Sequence, residues 1–185
     1  PFKKKKKTRG MIAAEKGLEP LADAMLELSD SEIEEKAKEF IKTNNEDAAL
    51  IVDTVEAALS GAKDIIAERV SQEISNRDAI HDLYLKTGNI VTKGVVPEGQ
   101  DEETAQKTST YQMYWDYTEP LNQIKPHRIL AINRAEREGA LDVVIDVDID
   151  SAVNLLQKRT SINNHYHQDA IEDGVVRLLS PAVVR

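Results

Sequence analysis

Between Leu18 and Tyr84 the apolar residues return every three or four positions, and Gly, Pro or clusters of Ser, Asn and Asp interrupt them at short intervals. That is the period of helices with one buried face. The pieces are too short to be stable alone, so they must pack on one another. Leu18, Leu21, Ala22, Met25 and Leu28 form one stripe, with Pro20 tolerated in a first turn. Ile33, Ala37, Phe40 and Ile41 form a second, behind Ser31 and Glu34 as a capping box. Asn44 or Asn45 is expected to cap a third, with Ala48, Ile51, Val52, Val55, Ala58 and Leu59 on its face. Gly61 should break or kink that run before Ala62, Ile65, Ile66, Val70 and Ile74 continue it, Arg69 laying its stem along the same face. Ser75 and Asp78 start another helix with Ala79, Ile80, Leu83 and Tyr84, which Gly88 ends. Upstream, Thr8 caps a helix through Lys16 that Gly17 closes. No fixed period recurs, so this is an irregular array and not a solenoid.

The second half mixes periods. Residues 90–96 lean towards β structure, and residues 97–110 are polar and read as a mobile loop. Pro126 suits the start of a helix through Glu138, closed by Gly139. Leu141, Val143, Ile145, Val147 and Ile149 alternate with Asp142, Asp146, Asp148 and Asp150, the pattern of a half-buried strand. Asp150 or Ser151 then caps a helix with Val153, Leu155 and Leu156, and a last helix from Asn164 is expected to kink or restart near Pro181. The expected fold is mainly α: an irregular array of short helices with one or two short β segments, near 90–96 and 141–149. Its expected organisation is an N-terminal helical lobe (1–96), a mobile loop (97–110) and a second helical part (111–185).

Composition narrows the chemistry. The chain has 185 residues and no cysteine, which excludes disulfides, thiolate metal sites and Cys nucleophiles. Aromatics are 4%, so Leu, Ile, Val and Ala must fill the core. No apolar run approaches the ~20 residues that span a bilayer, and the basic start lacks the apolar stretch of a signal peptide. A cytoplasmic protein is expected, and the start at Pro1 reads as a piece of a longer chain. Net charge is −9, but Lys3, Lys4, Lys5, Lys6, Lys7 and Arg9 stand apart: without them 18 positive groups face 33 negative ones. An acidic body repels phosphate backbones, so this run is the candidate nucleic-acid contact, its alternative being a solvated end.

Other constellations dissolve on inspection. Asp146, Asp148 and Asp150 match three places of a calcium loop, but Ser151 stands where Gly is needed and Gln157 where the bidentate carboxylate belongs. His165 and His167 are two apart: on a helix they point nearly opposite ways and cannot share a metal, on a strand they could, but no HExxH motif exists and Asn163, Asn164 and Tyr166 around them read as a polar connection. His127 has no nucleophile or paired carboxylate near it in sequence. Tyr111, Tyr114, Trp115 and Tyr117 could stack bases, but Asp116 and Glu119 are poor neighbours for that, and packing between helices is the favoured reading. No catalytic residue, metal, cofactor, small-molecule substrate or membrane partner is expected.

Three stretches carry a family resemblance. Tyr114-Trp115-Asp116-Tyr117-Thr118-Glu119-Pro120 is followed by Ile124-Lys125-Pro126-His127-Arg128-Ile129-Leu130-Ala131-Ile132-Asn133-Arg134 and by Glu136-Arg137-Glu138-Gly139. Lys4-Lys5-Lys6-Lys7-Thr8-Arg9-Gly10 runs towards Ala13-Ala14-Glu15-Lys16-Gly17-Leu18-Glu19-Pro20-Leu21-Ala22, and the third stretch is the helix-like segment from Val55 to Arg69. Together they resemble the Tex family of bacterial transcription accessory proteins, in the part that forms its N-terminal helical region. The resemblance implies helix-turn-helix character here, and elsewhere in the full protein an RNase H-like domain, helix-hairpin-helix elements and a C-terminal OB-fold that binds RNA. It implies a non-enzymatic scaffold that holds nucleic-acid-binding domains, with RNA in preference to DNA as partner and the transcription machinery nearby. The alternatives are that this piece binds nucleic acid itself through Lys3 to Lys7 and Arg9, or that it contacts only protein.

Overall fold

The computed structural model describes residues 6–43 and 46–184. In chain order its helices are α1 (Arg9–Glu15), α2 (Glu19–Ala24), α3 (Asp30–Ala37), α4 (Val55–Gln72), α5 (Ile74–Thr87), α6 (Glu102–Thr108), α7 (Pro126–Arg137), α8 (Ile149–Lys158), α9 (His165–Asp173) and α10 (Ser180–Val183). Three strands, β1 (Asn89–Gly94), β2 (Asp116–Pro120) and β3 (Leu141–Asp146), complete a mainly α fold. The chain divides into two units: residues up to Ile80 together with those from Ile149 onward, and His81–Asp148.

The first unit is organised on α4. Thr54 starts it by accepting the Ala57 N–H at its hydroxyl, 3.0 Å away. Its inward positions are Ala58, Leu59, Ala62, Ile65 and Ile66, against which Leu18, Leu21, Ala22 and Met25 of the α2 region, Ile33 and Ala37 of α3, and Ala170 of α9 pack. Each such Leu or Ile contributes about 1.5–3 kcal/mol by leaving water. Gly61 does not break the helix as its residue type suggests. A Cβ there would lie 2.4 Å from Leu18 Cδ1, so the glycine is the gap that admits Leu18. Packing outweighs the cost of a helical glycine, about 1 kcal/mol.

Asn164 ties the two ends of this unit together. Its Oδ1 accepts from the His167 N–H (2.8 Å), capping α9, while its Nδ2 donates to the carbonyls of Met25 (2.6 Å) and Leu28 (3.3 Å). Nearby, Asp30 Oδ1 accepts the His165 N–H (2.7 Å), and the Tyr166 hydroxyl donates to Glu34 (2.6 Å), which pushes its pKa up to about 12. Beyond α9 the helix widens into a π-helical stretch, Gly174–Leu179, and resumes as α10. Pro181 has no N–H to donate and its ring crowds the preceding turn, so the wider turn is the accommodation that the sequence announced as a kink.

The second unit is a small sheet with one helix on it. Strand order is β2-β1-β3, antiparallel throughout, with Ile90 opposite Ile145 and Thr92 opposite Val143. Ile90, Leu141, Val143 and Ile145 meet Ile132 and Ala135 of α7 on one face. Thr92 is fully buried, and its hydroxyl donates to the Tyr114 carbonyl at 2.6 Å. At the end of β1 the Trp115 ring lies on the Gly94 backbone. A Cβ at Gly94 would come within 2.0–2.3 Å of three ring atoms, so no side chain fits there.

Several local expectations shift. The capping box forms from Ser29 and Glu32 instead of Ser31 and Glu34, two residues earlier, where α3 can meet Asn164 and His165. Residues 48–52 form a 3₁₀ turn and a bridge between Val52 and Lys42 and not a helix. The cap placed at Asn44 or Asn45 lies outside the described residues. The segment 97–110 contains α6, capped by Asp101 Oδ1 accepting from Thr104 N–H at 2.7 Å. Strand β3 ends at Asp146, so the alternation does not extend to Ile149, which opens α8.

Three outcomes follow from this packing. Gly94→Ala should destabilise the second unit by about 2 kcal/mol or more, read by denaturation monitored at Trp115, the chain's single tryptophan. Asn164→Ala loses a cap and leaves buried carbonyls unpaired, for about 2–3 kcal/mol in urea unfolding followed by far-UV circular dichroism. Asn164→Asp retains the cap acceptor but not the donors and should stay destabilised. His167 is buried, and burial lowers its pKa below 6.5. The unfolded chain therefore takes up a proton that the folded chain refuses. Its contribution is whole above pH ~6.5 and is lost as pH falls towards the lower folded value. The stability of His167→Gln should then fall less than that of the parent from about pH 7 to about pH 5.5.

Candidate nucleic-acid interface

Of the basic run, Lys3, Lys4 and Lys5 lie outside the described residues, and Lys6, Lys7 and Arg9 are exposed. Thr8 Oγ1 caps α1 by accepting the Met11 N–H at 3.2 Å, so the run leads directly into a helix, as its sequence suggests. Lys7 Nζ sits 2.6 Å from Glu15 Oε1, and that hydrogen bond raises the lysine's pKa. The Gly10 N–H donates to Glu68 Oε1 of α4 at 3.0 Å. Asp64, one turn earlier on α4, has its pKa raised by burial. The Arg177 guanidinium, 3.9 Å away, and Arg9 pull it back down. Arg177 itself is held by Asp173 through Nε and Nη2, the closest approach 2.9 Å. The described end of the basic run thus adjoins carboxylates of its own unit, which compete with phosphate for the same cations.

The aromatic cluster is used for packing. Tyr114 and Trp115 are each 7% exposed, and Tyr114 meets Tyr117 edge to face with ring centroids 5.3 Å apart. The hydroxyls of Tyr111 and Tyr117 are both engaged. Tyr117 donates its hydroxyl to Glu119, which depresses the carboxyl's pKa and raises the phenol's. Arg128 Nη1 reaches both, at 3.0 Å from Tyr117 Oη and 2.9 Å from Glu119 Oε1. Tyr111 donates to Glu138 Oε2 (2.6 Å), whose Oε1 accepts from Arg134 Nε (2.9 Å). Sequence reading missed the Arg128 link, because Pro120 and Pro126 separate the partners by a turn of unforeseeable course. The Arg134–Glu138 pair was legible as a helical i, i+4 pair.

The remaining candidates separate. His165 is exposed, with Nε2 3.2 Å from Asp169, while His167 on the same helix is buried, so the two imidazoles do not converge. His127 is exposed in the first turn of α7. Asp142 and Asp146 lie on β3, while Asp150 falls in α8. Among the described residues no group of three or more His, Cys, Asp or Glu side chains is placed to hold a metal ion. Nor is any helix among them long and apolar enough to cross a membrane.

Comparison with known proteins agrees with the resemblance. Residues 29–177, more than half of the chain, match the family described as Tex central region-like. The whole chain is 38% identical over 191 residues to "Uncharacterized protein YdcI" of Bacillus subtilis, of which it covers 25%. It is 34% identical over 150 residues to "Protein tex" of Bordetella pertussis and 32% identical over 150 residues to "Transcriptional accessory protein Tex" of Neisseria gonorrhoeae. Those two alignments take in 81% of this chain and 18% of each relative, so the chain spans a quarter or less of the proteins it matches. On the match across its helices and sheet, the chain belongs to the Tex family.

Proposed function

We propose that this chain is a non-enzymatic helical scaffold within a Tex-like transcription accessory protein of the cytoplasm. Its role is positional: packed helices hold other parts of the full-length protein, which bind nucleic acid, RNA in preference to DNA, beside the transcription machinery. One observation carries this reading. The aromatic cluster is packed on its own sheet, with the Tyr111 and Tyr117 hydroxyls on carboxylates, and at the described end of the basic run Lys7 is paired with Glu15. The name of the Neisseria gonorrhoeae relative, a transcriptional accessory protein, supports the transcriptional setting.

Fluorescence anisotropy with labelled single-stranded RNA and duplex DNA tests it. The expected result is no saturable binding, even at low salt. The contrary result is RNA binding that falls with salt on a log–log slope of about −4, as six cations at about 0.7 each would give. If it also vanished on deletion of residues 1–9, the chain would itself be a nucleic-acid-binding module.

A further inference from the structure

The strongest unassigned feature is the outer face of α7. Segment 125–137 carries Lys125, Arg128, Arg134 and Arg137 against one carboxylate, Glu136, in a chain of net charge −9. Ile132 and Ala135 point into the core, and the opposite ridge runs through Leu130 and Arg137. Leu130 is 69% exposed and Ile129, beside it, 37%. Arg134 uses only its Nε on Glu138, and Lys125 and Arg137 form no ion pair among the described residues. Arg128 is different: it faces inward to Glu119 and Tyr117 and fixes the start of the helix to β2.

We propose that this ridge docks an acidic amphipathic segment of a partner protein, one that presents an apolar side chain to Leu130 and Ile129 and carboxylates to Arg134 and Arg137. A solitary exposed leucine is ordinary on a protein surface. A leucine that shares its face of the helix with Arg134, which keeps donors beyond its bond to Glu138, and with the unpaired Arg137, on an otherwise acidic protein, is a charge-complementary patch with an apolar centre. A phosphate backbone fits the same ridge poorly. It gains nothing from Leu130 and Ile129, whereas an amphipathic segment buries an apolar side chain there. This goes beyond the scaffold role and stands whether or not residues 1–9 bind nucleic acid.

The test uses the whole chain and three labelled probes. One is a synthetic peptide of about 15 residues, about four helical turns, with Leu at heptad a and d positions and Glu elsewhere. The second carries Lys in place of every Glu, and the third is oligouridine RNA. The Glu/Leu peptide is expected to bind in a salt-sensitive way and the Lys peptide not to bind. Leu130→Ser and Arg137→Glu should each weaken binding by about tenfold or more, with far-UV circular dichroism unchanged because both side chains are exposed. Equal binding of the two peptides, no binding of either, or binding that both substitutions leave intact overturns the proposal. Oligouridine binding that Arg137→Glu abolishes and Leu130→Ser spares would assign the ridge to nucleic acid instead.

Discussion

The close approach of α4 to its neighbours is the constraint on which the first unit depends. A helix that must be packed from several sides cannot carry large side chains at every inward position. Ala58, Gly61 and Ala62 keep it narrow where Leu18 and the α2 region press in, and Ala67 does so where the π-helical stretch crosses. Bulk then comes from the partners: Leu18, Leu21, Met25 and Ile33 are all fully buried. The arrangement compensates for scarce aromatic residues, because many medium side chains interdigitate around a slender axis.

The second unit solves a different problem. A three-stranded sheet with one covering helix buries little, and it is reinforced at its margins by large amphipathic groups. Trp115 closes the end of β1, while Tyr111 and Tyr117 each place a hydroxyl on a carboxylate that an arginine of α7 also holds. These side chains give apolar area from their rings and orientation from their tips. The acidic neighbours that make the cluster unsuitable for stacking bases are the acceptors that fix it in place.

Much of this was legible, and the misses have physical reasons. Most helix periods, the closing of α7 near Gly139 and the alternation of β3 from Leu141 to Asp146 are local signals that appear where the sequence puts them, whereas residues 48–52 and 147–149 depart from it. The sequence Ser29-Asp30-Ser31-Glu32-Ile33-Glu34 holds two overlapping capping boxes, and only the contacts of Asn164 and Asp30 across the chain choose between them. Gly61 reads as a breaker because nothing local reports that Leu18 needs the space. Of the candidate site, the exposure of Lys6, Lys7 and Arg9 was readable, but the competition from Glu15 and Asp64 was only half so. Glu15 is two turns along the same segment, whereas Asp64 arrives through the packing of α4.

The interrupted path of the chain has a consequence for the order of assembly. The first unit begins before α4 and is completed by α8 and α9, after the whole of the second unit has been made, and the bond from Asn164 to Met25 spans 139 residues. During synthesis the helices around Leu18 and Ile66 therefore emerge without the surface that finally covers them. The sheet unit, contiguous in sequence, needs no later segment to close. The docking of α9, with the bonds from Asn164 to Met25 and Leu28, is thus possible only once the second unit has been synthesised.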